Sequence, residues 1–252
     1  MRSSQAPGHT EPPLSLLCAA LQKNHAWLSP FASRGDQLMQ LHSASVVDAL
    51  NSMRTKGTTV TFVAQSELPT GEAYEAFIGR TSRVPTRENV HDLFNGLIWL
   101  EWPKTKHRMN RLQAHEIAVR GVSGVRGALR DALTVFDENG AILQAPRELI
   151  DALRNREWHA LFTKYREKWA SARLSLIGHA LLEKLLQPRK SITAHVLVVE
   201  DLGDDSLATS LDPNELVSQS FLPLPVLGVP GWWSENEQAD FYDDPAVFRP
   251  AR

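Results

Sequence analysis

The sequence predicts an α+β fold: a mainly helical single domain with a small antiparallel sheet or hairpin, closed by an extended, docked C-terminal segment. Three observations predict it. Stretches with helical periodicity outnumber strand-like runs and do not alternate regularly with them, which argues against a doubly wound sheet. Asn139-Gly140 stands between two apolar runs in "TVFDENGAIL", the strongest short-range hairpin signal in the chain. From Asp201 onward the texture changes to prolines, glycines and aromatics, which neither a long helix nor a central strand accommodates.

Taken in order, residues 1–12 are polar and proline-rich and are expected to form a flexible lead-in to one globular domain over 13–252. Apolar spacing of three and four predicts helices at 14–22, 36–54, 72–80, 88–101, 104–117, 147–154, 156–170 and 178–187. Strand-like runs are 58–64, 132–136, 141–143 and 191–200, the second and third forming the expected hairpin. In 221–249, Pro223, Pro225 and Pro230 exclude a helix, while Trp232, Trp233, Phe241, Tyr242 and Phe248 are unsuited to a solvated tail. The segment is therefore expected to drape over the body.

Composition sets outer bounds. The chain has 252 residues, 42% of them apolar, enough for a sizeable core in one large domain. Cys18, the single cysteine, cannot close an intramolecular disulfide, and it sits in the apolar stretch "PLSLLCAALQ". With no signal-like or membrane-spanning run, a cytoplasmic protein is expected. The net charge of −2 is unevenly placed: residues 200–252 carry eleven acids against two arginines, hence −9, leaving +7 elsewhere. Between Lys104 and Arg130, seven Lys/Arg face one acid, Glu116. That block could attract nucleic acid, but the acidic C-terminal part is expected to neutralise it.

Candidate chemistry lies on two apolar helices and one turn. Glu88, His91 and Asn95, spaced by three and four, share a helix face, so a carboxylate can orient an imidazole there. In "LSLIGHALLEKLLQP", His179 and Glu183 are an i, i+4 pair in a helix apolar nearly all round, where a carboxylate must be paired, hydrogen-bonded or metal-bound. Asp137 and Glu138 stand beside the Asn139-Gly140 turn. Zincin, Walker and nucleophile-elbow motifs are missing, and a CxxC zinc site is impossible with one cysteine.

"HDLFNGLIWLEWPKTKHRMN", "RDALTVFDENGAIL", "GHALLEKLLQP" and "LPVLGVPGWWSENEQADFYDDPAVFRP" together resemble a proteobacterial family of uncharacterised proteins, a domain-of-unknown-function family. The resemblance runs from about residue 75 to the C-terminus and carries no activity over to this chain. Two functional readings stand. In one, the chain is a metal-dependent hydrolase: His91, His179 and Glu183 bind a divalent metal, Asp92, Asn95, Asp137 and Glu138 serve catalysis, and Lys104 and Arg130 hold a small anionic ligand. In the other, the same residues form a buried, non-catalytic network and the basic 104–130 stretch meets a partner or nucleic acid. Neither reading involves a membrane, and binding to generic nucleic acid is not expected.

Overall fold

Helices form most of the body, and their order explains how distant residues meet. The computed structural model describes residues 12–23, 25–40, 45–121, 127–218, 221–238 and 240–251. All but Pro12 of the expected lead-in, and residues 122–126 of the basic stretch, lie outside these. The elements are α1 (Pro13–Gln22), α2 (Ala32–Gln40), α3 (Val46–Ser52), β1 (Thr61–Ala64), α4 (Tyr74–Thr81), β2 (Arg83–Thr86), α5 (Val90–Glu101) and α6 (Pro103–Arg120). There follow α7 (Ala128–Asn139), β3 (Gly140–Gln144), α8 (Arg147–Arg154), β4 (Arg173–Leu176), α9 (His179–Lys184), β5 (Thr193–Val198), α10 (Asp204–Ser210), α11 (Pro213–Ser218) and β6 (Leu222–Pro225).

The core is built round α5. Asn89 caps it, its side chain accepting a hydrogen bond from the Asp92 amide at 2.7 Å. Every residue from Val90 to Leu100 except His91 is buried. Gly96 makes room for α3: a Cβ there would lie 2.3 Å from Leu50 Cδ1. Pro103 ends α5, because the residue before a proline is pushed out of the helical region, and then opens α6 as its first residue.

Two small sheets complete the frame. β1 and β2 pair in parallel, Thr61 against Arg83. The larger sheet has the order β4-β3-β5-β6. Ala141 of β3 faces Leu176 of antiparallel β4 and Val196 of parallel β5, and β6 pairs antiparallel with β5, Val196 opposite Leu222. The sheet is thus mixed rather than wholly antiparallel. The long excursion through α8, β4 and α9 is what allows β3 and β5 to run the same way.

The expected hairpin does not form. Residues 132–136 belong to α7, which passes directly into β3 at Gly140. Leu129, Leu133 and Phe136 recur at spacings of four and three, and Leu133 and Phe136 are fully buried, so the helical period prevails over the Asn-Gly signal. The expected helix at 156–170 is also replaced, by a π turn over Ala160–Lys164 and a 3-10 segment over Arg166–Ser171.

The C-terminal segment is part of the core. Leu224, Val226 and Leu227 are fully buried, and Phe241, Tyr242 and Phe248 are nearly so. Phe162 stacks on Tyr242 at 5.2 Å between ring centroids, and Tyr242 donates a hydrogen bond to the Gly228 carbonyl at 2.9 Å. The acidic α10 lies along α6: the Asp204 carboxylate accepts from the Lys104 and Thr105 amides at 2.8 and 2.9 Å, and Lys104 pairs with Asp205. The start of the basic stretch therefore meets acids of its own chain.

Gly178 sets the distance between α7 and α9. A Cβ there would lie 2.5 Å from the Glu138 carbonyl and 2.6 Å from Asn139 Cα, backbone that cannot swing away. Gly178→Ala is therefore expected to destabilise the chain by about 1–3 kcal/mol, as overpacking does. Chemical denaturation checks this; an unchanged midpoint would mean that the two helices are not held at this distance.

Candidate functional site

Polar groups from α4, α5, α6, α7 and α9 join into one string inside the helical layer. His91, in the first turn of α5, faces two ways. Its Nδ1 lies 2.8 Å from Glu183 Oε2, and its Nε2 lies 3.0 Å from Nε2 of His179, the first residue of α9. The two rings meet edge to face at 4.5 Å between centroids. On its far edge His179 presents Nδ1 to Asp137 Oδ2 at 3.8 Å, too long for a hydrogen bond, and that buried nitrogen meets no well-formed partner, although the Asp137 backbone lies close enough to favour a proton on the ring. Asp137 Oδ1 pairs with Lys106 Nζ, which also donates to Asn95 Oδ1 at 2.9 Å and lies 5.4 Å from the Trp99 ring centre. Asn95 in turn donates to the Tyr74 hydroxyl at 3.0 Å.

One end of this string is open. The His91 side chain keeps 32% of its surface exposed and Asp137 22%, against 16% for Glu183, 8% for His179 and 5% for Lys106. Solvent thus reaches the string at His91.

The environments drive the two imidazoles apart. The hydrogen bond to Glu183 raises the His91 pKa against the opposing effect of burial; Asp92 adds to the rise and Arg87 subtracts from it. Burial pushes His179 down to about 4, helped by the positive charges of Lys106 and His91 and resisted by Asp137. For Asp137 burial works upward, yet Lys106 and the histidines outweigh it and hold the carboxyl below its usual range. Burial raises the Tyr74 hydroxyl, with Asp92 and Asp137 adding to the effect. The network is satisfied when an imidazolium at His91 donates Nδ1–H to Glu183 and Nε2–H to a neutral His179; this proton placement is assigned from the bonding pattern.

Of the residues singled out in the sequence, His91, Asn95, Asp137, His179 and Glu183 come together. Their pairings differ from the expected ones. Glu88 accepts from the Val46 amide at 2.8 Å, and it is Glu183, from another helix, that binds His91. Asp92 turns to Arg87, taking its backbone amide at 2.6 Å and its guanidinium at 2.8 and 3.1 Å. Glu138 is exposed, Lys104 is paired with Asp205, and Arg130 buries an Nε that has no hydrogen-bond partner; none of the three joins the string.

His91 and His179 are the residues whose facing Nε2 edges could share a cation. Glu183 lies on the other nitrogen of His91, where it orients the ring rather than meeting His179 at a common point. Among the described residues no group of three or more His, Cys, Asp or Glu could hold a metal ion.

Sequence reasoning missed Tyr74, Arg87 and Lys106. Lys106 had one signal: it shares a helix face with Met109, Asn110 and Gln113, all buried. Arg87, with its side chain 58% exposed and fixed by Asp92 at the start of α5, is the cation beside His91, the place the sequence reading gave to Lys104 and Arg130.

The chain belongs to the family described as "Protein of unknown function (DUF3025)", whose model matches residues 60–252. Comparison with curated proteins and with solved structures finds no match. Among the described residues no helix is long and apolar enough to cross a membrane.

The opposite shifts predict opposite pH dependences. The raised His91 pKa stabilises the fold below the unfolded value of about 6.5, and this contribution disappears as pH rises through the folded pKa. The lowered His179 pKa stabilises above about 6.5 and is lost as pH falls toward about 4. Glu183→Gln should therefore lower the His91 pKa and destabilise the chain more at acidic than at alkaline pH. Imidazole titration by NMR reads the first effect, and melts across pH read the second; an unmoved His91 titration would remove Glu183 from the account.

Proposed function

We propose that the chain is a hydrolase whose general acid–base group is His91, oriented by Glu183 and backed by a neutral His179. One observation carries this reading: two imidazoles share their Nε2 edges at 3.0 Å, each with a carboxylate behind it, and one of them is accessible. Titratable neighbours whose environments push their pKa values apart mark acid and base roles. In the hydrolytic step the His91 imidazolium gives a proton to the leaving group as water attacks the substrate, and the neutral His91 then takes a proton back from the added water. Arg87 is the cation at the rim and suits a small anionic substrate.

A second reading, a non-catalytic network that ties α5, α6, α7 and α9 together, is supported by one observation: Lys106, Asp137 and Asn95 all find partners inside the protein. A metal-dependent variant of the hydrolase would place a divalent cation at the shared edge of the two histidines.

One experiment separates the three. The purified chain is assayed against chromogenic carboxylic and phosphoric esters, with and without EDTA, beside His91→Gln. The acid–base reading expects turnover that survives EDTA and falls about 10²-fold or more in the variant. Turnover lost to EDTA and restored by zinc would move the function to the metal variant. Equal background rates in wild type and variant would favour the structural network.

A further inference from the structure

Lys106 is an unusual residue for the inside of a helical layer. It is only 4% exposed, and its ammonium group is turned to Asp137, Asn95 and the Trp99 ring rather than to solvent. Burying a long cation is costly unless specific groups take up its charge. Its partner Asp137 uses one oxygen for Lys106 and turns the other toward Nδ1 of His179 at 3.8 Å.

We infer that Lys106 is a positioning residue for the pair of imidazoles: it holds Asp137 against His179 and so fixes the ring tautomer that turns a lone pair toward His91. This rests on the acid–base reading of the site, which needs a defined direction of hydrogen bonding between the rings. A carboxylate facing a ring nitrogen attracts N–H and repels a lone pair. With the proton on Nδ1, His179 has only a lone pair on Nε2, and His91 must be the donor. Asp137 performs this task while it stays anionic and stays in place. Its burial opposes the anionic state, and Lys106 counters that with its charge and a direct hydrogen bond. Asn95 completes the clamp by accepting a second bond from the same ammonium group at 2.9 Å.

Among the charged groups round His179, Lys106 is the one placed for this role, beside a backbone contact from Asp137 that also favours a proton on the ring. His91 comes from α5, Lys106 from α6 and Asp137 from α7, while Glu183 lies one turn along α9 and is bound to His91. Arg87, ahead of α5, is bound to Asp92. Lys106 is thus the cation that holds Asp137. A merely structural lysine would join α6 to α7 equally well whichever nitrogen of His179 carried the proton.

The test reads the tautomer directly. Long-range 15N–1H spectra of the full-length chain distinguish a protonated nitrogen from an unprotonated one in each imidazole. In the wild type, His179 is expected as the Nδ1–H tautomer. Lys106→Met should abolish that preference, giving the Nε2–H form or an exchange-averaged signal, and Lys106→Arg, which keeps a cation, should restore it. Should Lys106→Met fail to fold, Asp137→Asn removes the orienting charge with the lysine intact and should have the same effect on the ring. An Nε2–H tautomer in the wild type, or an unchanged Nδ1–H signal in a folded Lys106→Met or Asp137→Asn chain, would overturn the inference. The readout needs no turnover, so it is separate from the fate of the hydrolase reading, which the His91→Gln assay decides.

Discussion

The edge contact between His91 and His179 is the interaction on which the rest of the site depends. It joins α5 to α9 through two nitrogens 3.0 Å apart, and it needs one ring to donate while the other accepts. That asymmetry cannot come from the rings themselves, which are chemically alike. It comes from what lies behind each: Glu183 in hydrogen-bond contact with His91, and Asp137, paired with Lys106, 3.8 Å from His179. The backbone supplies the frame. Gly178 lets α9 start against the end of α7, and the Asn89 cap fixes the turn that carries His91.

Such a string is an expensive way to join helices. Buried ion pairs recover their desolvation only with good geometry and further hydrogen bonds, and apolar replacements of similar volume are often no less stable. The chain nevertheless buries Lys106 and His179, with Lys106 over the Trp99 ring, and pairs Lys106 with the partly exposed Asp137. Stability alone is a weak reason for that choice. The role we propose, one imidazole presented to solvent in a fixed orientation, would supply another reason, because low-dielectric surroundings strengthen the fields that orient it.

Much of this was legible in the sequence, and what was not has physical causes. His91, His179 and Glu183 stood out because polar groups on otherwise apolar helices demand partners, and the structure brings them together. The pairing between α5 and α9 could not be read, since helix periodicity reveals faces but not which faces meet; Glu88 therefore stood in for Glu183. Lys106 was hidden in a run of cations, where exposure is the ordinary expectation. The Asn139-Gly140 pair misled because a local turn preference was weighed above the longer helical period of Leu129, Leu133 and Phe136, which buries its apolar face. Mainly helical α+β character was readable because it rests on the sum of many such periods. The parallel pairing of β3 with β5 depends on a crossover that no short motif records.

The central claim is that the groups from Glu183 to Lys106 act as one coupled unit, although the two ends do not touch. A double-mutant cycle in stability between Glu183→Gln and Lys106→Met, followed by chemical denaturation at neutral pH, tests it most directly. If the string is one unit, the double variant departs from the sum of the singles by more than about 0.5 kcal/mol. Additivity within about 0.3 kcal/mol would mean two independent salt bridges that happen to lie end to end, and would contradict the account.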